Sequence, residues 1–421
     1  MKLVHAADIH LDSPLRGLER YEGAPVDQIR GATRRAVENL VDMCLLEGAD
    51  LLLIAGDLYD GSWKDYNTGL FFASQMSRLR AADIPVIFVR GNHDAAAIQI
   101  TRNLRLPDNV TELSTRRAET KVLGDIGVAV HGQGFANKAV TDDLAARYPD
   151  RIPGMFNVGL LHTCVEGREG HESYAPCKRE ALIQKGYEYW ALGHVHTREV
   201  LNEEPWIVFP GNLQGRHARE TGAKGATLVT VENGRVISAI HRPLDAVRWA
   251  VCEVDIGPAG SGHDVVDLAR IKLQKCLEEA DGRSVAARVI IEGTSRAHAD
   301  LCQNPERWGH EVRVAAMEIG GEGVWVEKIK MRTRTPIDLE ELGERDDAIG
   351  QLVRSIQAIK TDQDELSVLL GRLSDLKHKL PPELREAEDG IKLDSPEELS
   401  GMLEEVEQML IPRLLQRGQE R

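Results

Sequence analysis

Five short motifs run in order through the first 196 residues: Asp8-Ile9-His10, Gly56-Asp57, Gly91-Asn92-His93-Asp94, Leu161-His162 and Gly193-His194-Val195-His196. Their donors are carboxylate, amide oxygen and imidazole nitrogen, a set that holds hard or borderline divalent cations. Asp8, His10, Asp57, Asn92, His162, His194 and His196 give seven such donors. Two octahedral ions need about twelve positions, so a bridging group and waters must supply the rest. Asp57 suits the bridge, because a carboxylate has two oxygens where Asn and His offer one useful donor each. Ions about 3.5–4 Å apart lower the pKa of water held between them and offset charge on a phosphoryl group. His93 is surplus to the ligand set. It suits a proton donor to a leaving oxygen, with Asp94 orienting it through a hydrogen bond.

These residues need a scaffold, and the flanking sequence describes one. Four of the motifs follow apolar stretches at 2–7, 51–55, 86–89 and 158–161, and the fifth follows Tyr189-Trp190-Ala191-Leu192. Each polar cluster therefore stands where a buried strand ends, the place where open α/β sheets collect ligands. Residues 28–47 and 66–82 read as helices. The dipeptide Asn233-Gly234 between β-rich runs predicts a hairpin. Residues 1–245 thus read as one catalytic domain. Residues 246–335 read as a small α+β cap, with strand 249–256, helix 263–280, strand 285–293 and strands near 311–319 and 323–331. In the helical region 336–421, Leu352, Ile359, Leu366, Leu373 and Leu380 recur every seventh residue. That region reads as amphipathic helices packed on a partner or on their own domain rather than a long free coiled coil. Ser395-Pro396-Glu397-Glu398 starts a last helix with an apolar stripe of Leu399, Met402, Leu403, Val406, Met409 and Leu410, expected to end before Pro412.

Other polar residues near the motifs have plainer readings. His5 reads as a packed strand histidine, and Asp12 and Asp60 as residues that shape turns. His131, His171 and Tyr174 are candidates for lining the cleft, and Cys164 reads as an inert buried thiol. The six cysteines are scattered with no C-x-x-C pair, which indicates neither a zinc knuckle nor a redox motif.

At 421 residues, 42% of them hydrophobic and 28% charged, the chain has the composition of a soluble globular protein of two or three domains. No apolar run approaches the ~20 residues of a membrane span. A motif aspartate at position 8 comes too soon for a signal peptide, so the expected compartment is the cytoplasm, with no membrane partner. The formal charge of −15 divides unevenly, with 21 acidic and 11 basic side chains in residues 336–421. The remainder is close to balanced, which leaves a nucleic-acid substrate open without announcing one.

The series Asp-x-His, Gly-Asp-x-x-Asp, Gly-Asn-His-Asp, His and Gly-His-x-His resembles the calcineurin-like metallophosphoesterases, and within them the SbcD-type DNA-repair exonucleases. The stretches 5–14, 189–196 and 210–216 are most similar to the YhaO-type branch. At Asp12 and Asn212 the SbcD pattern more often has Gly and Ser. The resemblance implies a four-layer α/β/β/α sandwich, two manganese ions and phosphodiester hydrolysis. It assigns Asp8, His10, Asp57 and His196 to one ion, and Asp57, Asn92, His162 and His194 to the other, with His93 as the transition-state histidine. It further implies a DNA substrate, single- or double-stranded, and docking of the C-terminal helices on an SMC-like ATPase; a homodimer stays open. The alternatives are a small-molecule phosphodiesterase or phosphatase, which the same seven ligands serve, and a regulatory binding subunit with a vestigial site.

Overall fold

Two runs of parallel strands bring the five motifs to neighbouring strand ends. The computed structural model describes residues 1–13, 26–60, 66–96, 105–166, 174–381, 393 and 395–419. In the first sheet, β1 (Lys2–Ala6), β2 (Leu51–Ala55), β3 (Val86–Val89) and β4 (Val110–Glu112) lie parallel. The hairpin β11 (Gly225–Glu232) and β12 (Arg235–Pro243) joins β1 antiparallel, giving the order β12-β11-β1-β2-β3-β4. Its turn is the expected one, Asn233 and Gly234 both adopting positive φ (50° and 73°), as a tight two-residue hairpin requires.

The second sheet takes β5 (Glu119–Leu123), β6 (Val128–Gly132), β7 (Phe156–His162), β8 (Tyr189–Gly193), β9 (Glu199–Glu203) and β10 (Trp206–Phe209). Their order is β5-β6-β7-β8-β10-β9, with β6, β7, β8 and β10 parallel. Central parallel strands are covered on both faces and so read as unbroken apolar runs. In β2, Leu-Leu-Leu-Ile-Ala, every residue is buried.

Alternate residues of each strand divide between two cores. Leu3, Leu51, Leu53, Ile87 and Val89 of the first sheet meet Val128, Val130, Val158, Leu160 and Ala191 of the second in one shared cluster. The first sheet's other face (Val4, Leu52, Ile54, Phe88) packs on Val37, Leu40 and Val41 of α2 (Ala32–Glu47) and on Phe72 and Met76 of α3 (Tyr66–Arg80). The second sheet's other face (Leu161, Trp190, Leu192, Phe209) packs on Leu144, Tyr148 and Leu182, the last from α5 (Arg179–Gln184). This is the expected α/β/β/α sandwich. The helix expected over 28–47 is interrupted at Gly31, between α1 (Val26–Arg30) and α2; α4 (Asn92–Ala96) is one short turn.

The chain forms two compact units. One holds Met1–Val251, Lys275–Arg288 and Gly320–Lys328; the other holds Cys252–Gln274, Val289–Ile319 and Ile329–Arg421. A third sheet has the order β13 (Val247–Asp255), β14 (Ser284–Thr294), β15 (Val324–Arg334). In the first unit, Trp249, Ala286 and Trp325 from the starts of these strands cluster with Ile29, Ala32 and Ala218. The helix expected over 263–280 is α6 (Gly262–Glu278).

One expectation for this region fails. Residues 311–319, read as a strand, lie within a helix, α8 (Pro305–Gly320), which follows α7 (Ala297–Gln303). Val312 and Val314 suggest period two, but the buried set is Trp308, Gly309, Val312, Ala315 and Ala316, a helical spacing, while Val314 and Met317 are exposed.

The C-terminal helices pack on one another inside the second unit. They are α9 (Leu339–Gly343), α10 (Ala348–Thr361), α11 (Gln363–Lys379) and α12 (Pro396–Gln419). Asp338, Asp347 and Asp362 cap α9, α10 and α11 by accepting two backbone N–H groups each. Leu399 is buried with Leu366 and Leu393, Ile411 with Leu342 and Val353. The expected apolar stripe is therefore partly spent within this chain; Met402 and Leu403 pack here too, and Val406 faces solvent while Glu407 is buried. Glu407 accepts from Gln357 Nε2 (2.8 Å) and Lys360 Nζ (3.1 Å), both on α10.

The last helix also runs through Pro412, where it was expected to stop. Proline has no N–H to donate to the Gln408 carbonyl. His298 of α7 supplies the missing donor, its Nε2 lying 2.7 Å from that oxygen. Pro14 and Pro382, which border stretches read from the sequence, lie outside the described residues.

Candidate metal centre

Each motif leaves a parallel strand, and backbone hydrogen bonds staple the first motif to the second and the fourth to the fifth. Asp8 N–H donates to Gly56 O (3.0 Å), His10 N–H to Asp57 O (3.0 Å) and Thr163 N–H to Gly193 O (3.0 Å). The ends of β1 and β2, and of β7 and β8, are thereby locked in register. Asp8 (φ 50°), His10 (46°), Asp57 (52°) and His194 (102°) hold left-handed backbone conformations. Such strain persists only where surrounding structure enforces it, and it gathers at functional sites. Gly91 is needed on steric grounds: a Cβ there would stand 2.2 Å from Asp57 Oδ1.

The side chains converge. Donor atoms of Asp8, His10 and His196 lie within 4.8 Å of one another, and so do those of Asp8, Asp57 and His162. His162 Nδ1–H donates to Ala55 O (2.9 Å), which leaves the Nε2 lone pair facing Asn92 Oδ1 at 3.0 Å and Asp57 Oδ2 at 3.5 Å. His196 Nδ1–H is likewise taken by Glu220 Oε1 (2.6 Å), so its Nε2 lone pair points at His10 Nε2, 3.3 Å away. The Nδ1 of His10 is buried with no hydrogen-bond partner among the described residues. His194 donates its N–H to both oxygens of Asp8 (3.1 and 3.0 Å), and its ring packs against His162 and Tyr174. Donor atoms of Asp8, His10, Asp57, Asn92, His162 and His196 thus meet in one place, with the His194 ring beside them against His162.

The electrostatics suit an arriving cation. Burial keeps His10, His162 and His196 neutral by lowering their pKa values, that of His162 to about 3. Burial also raises Asp8 and Asp57, the latter to about 6, and the charge of Asp57 pushes Asp8 up further. Carboxyl groups whose ionised form burial disfavours, set beside imidazole lone pairs, are a set whose charge a divalent ion would compensate.

His93 and Asp94 part company. Asp94, expected to orient His93, instead accepts three backbone N–H groups: Leu58 (3.2 Å), Tyr59 (2.8 Å) and Gly91 (3.0 Å). It clamps the loop after β2 to the one after β3. The partner of His93 is Asp60, read from sequence as a turn residue, whose Oδ1 is 2.8 Å from Nδ1. Burial opposes a charge on His93, but the Asp60 hydrogen bond and the charges of Asp57 and Asp60 outweigh it and raise its pKa. Nδ1 is thereby committed to Asp60, which frees Nε2 for a ligand.

The remaining candidates sort themselves. His5 is fully buried between Tyr189 Oη (3.0 Å) and Leu192 O (3.1 Å), a packed strand histidine as expected. His131 bonds Thr120 and Asn157 and stacks on Tyr187, which occupies it fully in the second sheet. Asp12 accepts from Arg34 and Thr68. Cys164 is buried, and His171 lies outside the described residues. Sequence reading missed Glu220 altogether. It follows the last motif by 24 residues and belongs to no pattern, so only the fold brings it to His196.

Comparison with known proteins gives the family. A family described as calcineurin-like phosphoesterase matches residues 1–198, and the middle domain of metallophosphoesterase YhaO matches residues 249–334. The metallophosphoesterase YhaO of Bacillus subtilis (strain 168) is 32% identical over 89% of this chain and 90% of its own length. The DNA double-strand break repair protein Mre11 of Methanopyrus kandleri is 22% identical over 94% of this chain and 88% of its own. Among solved structures, the TT1561 protein of Thermus thermophilus matches at 15% identity, 57% of this chain, 98% of its own and a TM-score of 0.34, too slight a likeness to carry weight. On its match to YhaO along nearly its whole length, the chain belongs to the calcineurin-like metallophosphoesterases, in the YhaO-like family.

Proposed function

We propose that this chain is a two-metal phosphodiesterase acting on DNA, a manganese-dependent nuclease. One observation carries the metal part of this reading: the His162 Nε2 lone pair facing Asn92 Oδ1, and the His196 Nε2 lone pair facing His10 Nε2, beside buried Asp8 and Asp57. Asp8, His10, Asp57 and His196 would hold one ion, and Asp57, Asn92, His162 and His194 the other. Oxygen and imidazole donors without thiolate favour Mn²⁺ over softer ions. Bound there, such ions supply an activated water and offset charge on the phosphoryl oxygens.

The chain's own residues supply the rest. Asp60 fixes the His93 ring through Nδ1, so Nε2–H can be given to the departing oxygen. Asp94 holds the loops carrying Asp57 and Asn92 in place. Glu220 sets the tautomer of His196, as carboxylate partners of metal-binding histidines do. We further propose residues 246–335 as a cap that holds nucleic acid. The DNA-repair setting and an SMC-like ATPase partner for the C-terminal helices rest on the resemblance to SbcD-type enzymes and the match to Mre11; work in the cytoplasm rests on the motif aspartate at position 8. Among the described residues no helix is long and apolar enough to cross a membrane.

The test is hydrolysis by the purified chain with Mn²⁺. Labelled single- and double-stranded DNA is compared with bis(p-nitrophenyl) phosphate. Cleavage of DNA supports the proposal. Turnover of the small diester with DNA left intact identifies a small-molecule phosphodiesterase instead, and turnover of neither identifies a binding subunit.

A further inference from the structure

The stretch 210–216, similar to the YhaO-type branch, contributes no ligand to the proposed ion pair, yet it comes back against the site. Asn212 N–H donates to His196 O (3.2 Å), and Ala7 bridges to Asn212 beside the first motif. Four residues later Arg216 is fastened at its backbone, its N–H donating to Glu220 Oε2 (2.7 Å). Its side chain, 16% exposed, reaches between two carboxylates: Nη1 is 3.7 Å from Asp60 Oδ2 and Nη2 is 3.7 Å from Glu220 Oε1.

Both carboxylates are already engaged. Asp60 takes His93 Nδ1 (2.8 Å) and Ser13 Oγ (2.6 Å). Glu220 takes His196 Nδ1 (2.6 Å) and Asn212 Nδ2 (3.0 Å). The separations to Arg216 exceed hydrogen-bond length, and its Nε is buried with no hydrogen-bond partner among the described residues. A guanidinium with five donors therefore stands one carboxylate away from both His93 and His196 without a bidentate acceptor. Balancing Asp60 and Glu220 does not explain it, because neither carboxylate stands within hydrogen-bond length of the guanidinium. An anion that reaches both the ions and Arg216 does.

We propose that Arg216 is a substrate-binding residue whose guanidinium takes non-bridging oxygens of the phosphate lodged beside His93, an inference that rests on the two-metal phosphodiesterase reading. The fork geometry of arginine matches a phosphate edge, which lysine, a point charge, does not reproduce. Arg216 thereby selects for a phosphate group over neutral esters and fixes it with the leaving oxygen toward His93.

The test uses the full chain loaded with Mn²⁺ and inorganic phosphate as the probe. Calorimetry measures Mn²⁺ stoichiometry and phosphate affinity in wild type, Arg216→Gln and Arg216→Lys, and thermal melting checks each variant's fold. Arg216→Gln should keep both ions and weaken phosphate binding by about 10–100-fold, the scale of a charge-assisted pair. Arg216→Lys should fall between. In hydrolysis of bis(p-nitrophenyl) phosphate the loss should appear mainly as a raised KM. Unchanged phosphate affinity in an Arg216→Gln protein that holds both ions overturns the role of Arg216 alone. Wild-type protein that takes up no Mn²⁺ overturns the metal reading, and this inference with it.

Discussion

Asp60→Asn and Asp94→Asn should separate turnover from stability, in the direction opposite to the sequence-based pairing of Asp94 with His93. Asp94 is fully buried and accepts N–H groups from Leu58 and Gly91 on one oxygen and from Tyr59 on the other. An asparagine keeps one acceptor and turns an NH₂ toward the rest, leaving one or two buried donors unpaired. At about 1–3 kcal/mol each, the cost is about 1–6 kcal/mol. At about 2–4 °C per kcal/mol for a domain of this size, Tm falls by roughly 2–24 °C. Asp60 is different. Its asparagine still accepts from His93 Nδ1 but loses the charge that makes the bond strong. Tm should move little, while Mn²⁺-dependent hydrolysis of a diester with a poorer leaving group, such as diphenyl phosphate, falls about 10–100-fold with both ions retained. Scanning calorimetry and steady-state rates on the two variants decide the matter. An Asp94→Asn protein that melts like wild type but loses turnover, beside a fully active Asp60→Asn protein, would mean that Asp94 and not Asp60 serves His93.

Three other perturbations follow from particular contacts. Gly91→Ala places a methyl on Asp57 and should abolish binding of at least one Mn²⁺ by titration, while the chain stays folded by circular dichroism. Glu407→Ala strands Lys360 and Gln357 in the second unit and should destabilise that unit by about 3–5 kcal/mol in urea melts, leaving small-diester hydrolysis in native buffer unchanged. Burial lowers the His5 pKa to about 3 against 6.5 unfolded, so its contribution is complete above pH 6.5 and is lost progressively as pH falls toward 3, about 2 kcal/mol by pH 5. Nitrogen NMR should show His5 still neutral at pH 5, with the proton on Nε2 toward Leu192 O; a charged ring at that pH would refute the assignment.

The convergence of the proposed ligands was legible because each donor follows an apolar strand, and parallel strands deliver their ends to one edge of a sheet. The pairing of His93 was not. Asp94 is its neighbour in sequence, but successive residues of a helical turn point in different directions, and Asp94 turns into the loop while Asp60 crosses from the end of β2. The helix over 305–320 was hidden by Val312 and Val314, whose alternation imitates a strand; only the burial of Trp308 and Ala315 reveals the true period. The continuation of α12 past Pro412 depends on His298, more than 100 residues away in sequence, which no local rule can supply. Glu220 belongs to no motif, and Arg216, which ends the stretch 210–216, carries no role legible there, for the same reason: a loop after β10 folds back on the end of β8.

Crystals soaked in Mn²⁺ and measured at the manganese absorption edge test the central claim most directly. Two anomalous peaks about 3.5–4 Å apart are expected, one among Asp8, His10 and His196 and one among Asn92, His162 and His194, with Asp57 between them. A single peak away from Asp57, or none at saturating Mn²⁺, would contradict the two-metal centre and the hydrolysis proposed for it.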